Sequence, residues 1–140
     1  DQSVTLFGRT YSSPFGIAPT GLAALFRPRG DLLLAEAARL ANIPFIQSGS
    51  STATIESVAK VAPEHAWYQL YQPRDLKISD DLVRRAADAG VRLSLGSAGH
   101  SRQQVADIAF PLDLAHSIGV RDEDLYDPMR HGSRTGAFDA

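Results

Sequence analysis

Three short apolar runs in the first half of the chain end abruptly in polar or glycine-rich residues. Gly16-Ile17-Ala18 gives way to Pro19-Thr20-Gly21, and Pro44-Phe45-Ile46 gives way to Gln47-Ser48-Gly49. Trp67-Tyr68-Gln69-Leu70-Tyr71-Gln72 carries its polar groups at Gln69 and Tyr71. Runs of this length read as buried strands, and the stretch after each has helical spacing. Repeated strand–helix units imply a parallel sheet, with the polar groups at the strand ends gathered on one rim. That rim is the expected ligand site.

The remaining elements follow from the same periodicities. Val4–Phe7 and Arg9–Tyr11 alternate on either side of Gly8 and predict a hairpin with a tight glycine turn. A first buried strand is expected at Phe15–Ala18. A helix is expected through Leu32, Leu33, Ala35, Ala38 and Leu40, capped by Asp31 and stopped at Asn42. The second strand is Pro44–Ile46. Ser50, Ser51, Thr52 and Thr54 offer cap oxygens for a helix with Ile55, Val58 and Val61 on one face, which Pro63 ends. Ala66–Tyr71 is the third strand, closed by Pro73. Ser79 is the expected cap of a helix with Asp80 and Asp81 in its first turn and Leu82, Val83, Ala86 and Ala89 as its apolar stripe, ending at Gly90. Arg92–Leu95 predicts a weaker fourth strand, and Gln103–Ile108 one or two helical turns. Residues 1–99 read as one domain, and residues 100–140 as a loosely structured or disordered tail.

Composition narrows the function classes. With 140 residues, 44% hydrophobic and 21% charged, the chain has a soluble globular composition, short of the about 250 residues of a complete α/β barrel. Lys and Arg number 14 against 16 Asp and Glu, a net charge of −2 that offers nothing basic for nucleic acid. Cysteine is absent, which excludes disulfides, thiol catalysis and zinc–thiolate sites. No apolar run approaches a membrane span, and no secretory signal is visible, so a cytoplasmic setting is expected. The missing initial Met suggests a trimmed or internal segment.

The candidate chemistry lies at the strand ends. Thr20 with Gly21 leaves room for a flat ligand to approach backbone N–H groups, or forms a turn whose threonine satisfies its own loop. Gln69 and Tyr71, two apart, point to one face. There the amide can donate and accept along a heterocycle edge while the phenol donates to a carboxylate or hydroxyl, or both simply fill the interior with their polar atoms satisfied locally. Ser48-Gly49-Ser50-Ser51 has the form of a phosphate-cradling turn, although such serines are mostly helix caps. Ser48 also holds the strand-end position that Thr20 and Gln69 hold. His65, His100, His116 and His131 are scattered without metal-ligand spacing, so no metal site is expected. His65 precedes the third strand on the opposite rim and is given no catalytic role. His100 and Arg102 follow the fourth strand: a general base at His100 is several times outweighed by a solvated loop histidine, and Arg102 reads equally as a contact to an acid substrate or as a surface arginine. Arg84-Arg85 reads as a solvent-facing helix pair.

Taken together, these motifs resemble the FMN-dependent 2-hydroxy-acid dehydrogenases and oxidases, the family of glycolate oxidase, L-lactate dehydrogenase and mandelate dehydrogenase. The resemblance rests on the hairpin Val4–Tyr11, Pro14-Phe15-Gly16-Ile17-Ala18-Pro19-Thr20-Gly21-Leu22, Pro28 with Gly30-Asp31, Ile43-Pro44-Phe45, Ser48, Ile55–Ala59, Trp67-Tyr68-Gln69-Leu70-Tyr71 and Leu82–Ala86 to Ala89-Gly90. It implies the N-terminal half of a TIM-type (β/α)₈ barrel, about four parallel strands with helices behind a small β-hairpin. It further implies that Pro19, Thr20 and Gly21 run beside FMN, that Ser48 and Gln69 hydrogen-bond it, and that Tyr71 binds a small 2-hydroxy-acid substrate.

The likeness departs after Gly90. The family's Thr-Val-Asp is replaced by Leu93-Ser94-Leu95-Gly96-Ser97-Ala98-Gly99, and its substrate arginine is not carried onto Arg102. The family's lysine, base histidine, carboxylate-clamping arginine and phosphate site have no counterpart, so no catalytic residue is assigned. The expectation is a fragment or truncated member, inactive alone, with weak or absent FMN binding. The alternative is a non-catalytic half-barrel module that pairs with another copy or a complementing chain.

Overall fold

A computed structural model of the chain describes residues 1–70, 75–95, 113, 116 and 119. Strands β1 (Val4–Leu6) and β2 (Arg9–Tyr11) form an antiparallel hairpin with Leu6 opposite Arg9. The two-residue loop between them has φ 50° at Phe7 and 74° at Gly8, the left-handed pair that a type I′ turn requires.

The main sheet is parallel and winds in one direction, with order β3 (Phe45–Gln47), β4 (Ala66–Leu70), β5 (Arg92–Leu95). Ile17 extends it on the β3 side. Its N–H donates to Pro44 O and its carbonyl accepts from the Ile46 N–H, both at 2.9 Å. The first expected strand is thus reduced to a single bridge, and Phe15 is exposed rather than buried. Prolines at 14 and 19 bracket it and contribute no N–H, so the ladder cannot lengthen there.

Helices α1 (Ala23–Phe26), α2 (Gly30–Leu40), α3 (Ile55–Val61) and α4 (Leu76–Asp88) connect the strands. Alternation along β3 and β4 turns Phe45, Gln47, Ala66, Tyr68 and Leu70 to one face, all buried. On that face Ala35 and Ala38 of α2, Ile55 and Val58 of α3, and Val83 and Ala86 of α4 complete one core with Phe45, Ala66, Tyr68 and Leu70. Burial among these side chains raises the Tyr68 phenol above its ordinary pKa. Ile46, Trp67 and Gln69 face the other way and are half-buried. Parallel strands in sequential order with a helical core on one face are the wall of a barrel rather than a doubly wound sheet.

Two expected caps are corrected. Asp31 does not cap α2: Arg29 takes the N-cap place at φ 61°, and Asp31 lies buried inside the first turn. Ser79 does not cap α4 either. The helix starts earlier, where the Asp75 carboxylate accepts the Lys77 N–H at 3.0 Å, and Ser79 lies buried within it. The other expected signals hold: Thr54 accepts the Ser57 N–H at 3.2 Å as the α3 cap, and Asn42 at φ 50° and Gly90 at φ 67° end α2 and α4. Pro73, the turn over 103–108 and most of the tail lie outside the described residues. Within the tail, Asp113 and His116 have helical backbone, and the Gly119 N–H donates to His116 O at 3.0 Å. No helix among the described residues is long and apolar enough to cross a membrane.

Candidate functional site

The C-terminal ends of the Ile17 bridge, β3 and β4 lie together at one end of the sheet. Ser48 follows β3 directly and is buried; its Oγ accepts the Ser50 N–H at 3.1 Å, and its hydroxyl hydrogen has no acceptor among the described residues. A Cβ built on Gly21 would lie 4.0 Å from that Oγ and 3.8 Å from Ser50 Cβ, so the Pro19-Thr20-Gly21 loop runs alongside Ser48. From β4, Gln69 Oε1 accepts the Gly49 N–H at 3.4 Å. That bond fixes which way the amide points, and Nε2 has no partner among the described residues. Gly21, Ser48 and Gln69 are therefore brought together as the strand-end pattern requires. Pro19 is half-buried beside them. Thr20 is exposed, and its hydroxyl donates weakly back to Ala18 O at 3.4 Å. Tyr71, His100 and Arg102 lie outside the described residues.

The Ser48–Ala53 turn satisfies its own backbone. The Ser51 N–H donates to Ser48 O at 3.0 Å and the Ala53 N–H to Ser51 Oγ at 3.0 Å, which leaves few free N–H groups to cradle a phosphate. Beneath it lies a residue that the sequence did not single out. Gln47 is fully buried on the helix side of β3, and its Nε2–H donates to Ala53 O at 2.8 Å. Its Oε1 is buried without a partner among the described residues, a cost of about 1–3 kcal/mol. The sequence signal was its place two residues after buried Phe45 on the same strand face, although the bond it makes has no local signature.

The opposite rim is built differently. His65 Nδ1–H donates to Pro63 O at 3.0 Å, since a carbonyl only accepts, and Nε2 accepts from Arg9 at 2.9 Å. Arg9 also pairs with Glu64. Trp67 Nε1–H donates to Tyr11 Oη at 3.3 Å, and that hydroxyl donates to Glu64 O at 3.2 Å. These contacts lock the hairpin under the sheet and leave His65 no access to the other rim. On the outer face, Arg85 is not simply solvated. It binds Glu56 through two hydrogen bonds and approaches Asp81 at 3.7 Å. Among the described residues no three His, Asp or Glu side chains gather as metal ligands.

The model of the family described as FMN-dependent dehydrogenase matches residues 1–95. The chain belongs to that family. Within it, a 4-hydroxymandelate oxidase of Amycolatopsis orientalis is 44% identical over 87 residues, covering 62% of this chain and 24% of that protein. An L-lactate oxidase of Lysinibacillus sphaericus (strain C3-41) is 34% identical over 123 residues, 84% of this chain and 32% of that protein. A solved mandelate oxidase with 3,3-difluoro-2-hydroxy-3-phenylpropionic acid superposes with a TM-score of 0.61 at 42% identity, covering 64% of this chain and 27% of the other. The chain thus spans a quarter to a third of the relatives it matches. Its fold is a partial TIM-type barrel of an FMN-dependent 2-hydroxy-acid oxidoreductase family.

The described rim fits a flavin in its chemistry. A serine hydroxyl and an oriented amide whose hydrogens have no acceptor among the described residues, next to a residue without a side chain, suit a flat heterocycle edged with acceptors.

Proposed function

We propose that this rim holds one side of FMN in an enzyme that oxidises a small 2-hydroxy acid to the 2-oxo acid. Pro19, Thr20 and Gly21 line the ring system, Ser48 and Gln69 donate to its polar edge, and Tyr71 contacts the substrate. FMN, when bound, supplies the acceptor for the hydride equivalent. The observation that carries this reading is the Gln69 amide, held by the Gly49 N–H next to Ser48, with no partner for its own donors among the described residues.

The 140 residues by themselves bind FMN weakly and do not turn over. No residue assigned here is a general base, and removing such a base typically costs about 10²–10⁴-fold in rate. One observation favours the second reading, a half-barrel that pairs with another copy or a complementing chain. Phe15, Leu25 and Phe26, around Ile17 and α1, are 68, 76 and 85% exposed.

Titration of FMN by fluorescence quenching decides between them. Gln69→Ala and Ser48→Ala are each expected to weaken binding by about fivefold, the worth of one ordinary hydrogen bond. Equal quenching by wild type and both variants, or quenching by none, removes FMN from this rim. A stable dimer that leaves the flavin unquenched supports the pairing module.

A further inference from the structure

We infer that Gln47 is a positioning residue: its buried amide tethers the Ser48–Ala53 loop to β3 and so fixes the Ser48 hydroxyl at the rim. The functional half of this inference rests on the flavin reading of Ser48; the tether itself does not.

Gln47 stands where the pleat demands an apolar residue, next to Phe45 on the sheet face that the helical core covers. Its placement is costly, because Oε1 is sealed in without a partner among the described residues. The core gains little from such a side chain, so its contribution is sought in the one bond it makes. That bond goes to Ala53 O, immediately before the Thr54 cap of α3. A carbonyl cannot donate, so the amide can face only one way.

The other bonds of this loop are internal. Ser50 N–H to Ser48 Oγ, Ser51 N–H to Ser48 O, and Ala53 N–H to Ser51 Oγ make it a small body that moves as a unit. Among the described residues, two side chains from the sheet hold that body in place. Gln69 reaches Gly49 from β4 at 3.4 Å, a long bond, and Gln47 reaches Ala53 from beneath at 2.8 Å. Gln47 is the stronger tether. Because Ser48 Oγ accepts from Ser50 within the same body, the direction left to the hydroxyl hydrogen follows the loop's seat.

The test is amide hydrogen exchange on the full chain carrying Gln47→Met, which keeps the length and volume of the side chain and removes both its donor and its orphaned acceptor. The expected result is a thermal melt as high as wild type or higher. Exchange at Gly49, Ser50 and Ser51 should be faster by about fivefold, with the α4 amides unchanged. Gln47→Leu serves as the second variant. Unchanged exchange in the loop, acceleration spread evenly over the core, or failure of both variants to fold would overturn the tether. FMN titration of the same proteins separates the two levels. Weaker FMN binding in Gln47→Met that is not additive with Ser48→Ala places Gln47 upstream of that hydroxyl. A loosened loop in a chain that binds no FMN even as wild type keeps the tether and rejects the flavin reading.

Discussion

Gly30 opens α2 against the backbone of α1. A Cβ built on it would stand 2.7 Å from Ala23 O and 2.9 Å from Ala23 C. Neither atom can rotate away, since both are main chain, so Gly30→Ala must push the two helices apart. Overpacking of this kind costs about 1–3 kcal/mol, which a shift in the urea midpoint will show. An unchanged midpoint would mean that α1 yields freely. The residues of the rim could be read from the chain more easily than those beneath it. Period two alone turns Gln69 away from Tyr68 and Leu70, and Ser48 and Gly21 follow from where the apolar runs stop. Gln47 was hidden because its role depends on an atom six residues on, Ala53 O, which no local pattern announces. Asp31 misled because aspartate before a helix is ordinarily its cap. Here the left-handed turn at Arg29 starts the helix two residues earlier and draws the carboxylate inward.

At the scale of elements, strongly periodic segments were legible and marginal ones were not. Helix α3 shows its cap and buried face in sequence, and α4 shows its apolar stripe, although two good caps, Asp75 and Ser79, compete to start it and the earlier one prevails. Helix α1 has four residues and buries only Ala23, so it leaves no amphipathic signal. Between α3 and α4 runs a link that sequence spacing could not show. Arg85 donates to Glu56 at 2.6 and 2.9 Å across 29 residues. Those hydrogen bonds, followed by one from the backbone, hold the Glu56 carboxyl down at about 2, and the Arg85 guanidinium is pushed up in return. A carboxyl more acidic in the fold than in the unfolded chain contributes stability above its ordinary value of 4.5 and loses it as the pH falls towards 2. Glu56→Gln should therefore unfold at lower urea than wild type at neutral pH, with the gap closing through that window. A gap that persists in acid would assign the effect to packing rather than charge.

Across the whole molecule, the two ends of the sheet divide the work. The C-terminal ends carry Ser48 and Gln69; the N-terminal ends carry the hairpin and its anchors, as expected of a barrel that binds at one mouth and is sealed at the other. The seal is aromatic. Phe7, at the hairpin tip, packs edge-on against Trp67 with centroids 5.2 Å apart, and the Arg92 guanidinium lies 5.4 Å from the Phe7 ring while donating to Phe7 O at 2.8 Å. Trp67 is the single tryptophan of the chain, so the indole emission comes from this end of the sheet. Phe7→Ala removes the ring from both partners but keeps the carbonyl that Arg92 uses. Phe7 is only half-buried, so the expected loss, about 1–3 kcal/mol, falls below that of a core phenylalanine. With water admitted to the indole, the emission should move to the red while the far-ultraviolet dichroism keeps its helical shape. The Gly49 amide, held by Gln69 two residues further along the same strand, should keep its exchange rate. If the emission stays put, the hairpin is held by Arg9, Glu64 and His65 without the aromatic contact. If the Gly49 amide loosens with it, strand β4 transmits the disturbance from one mouth to the other, and the two ends are not independent.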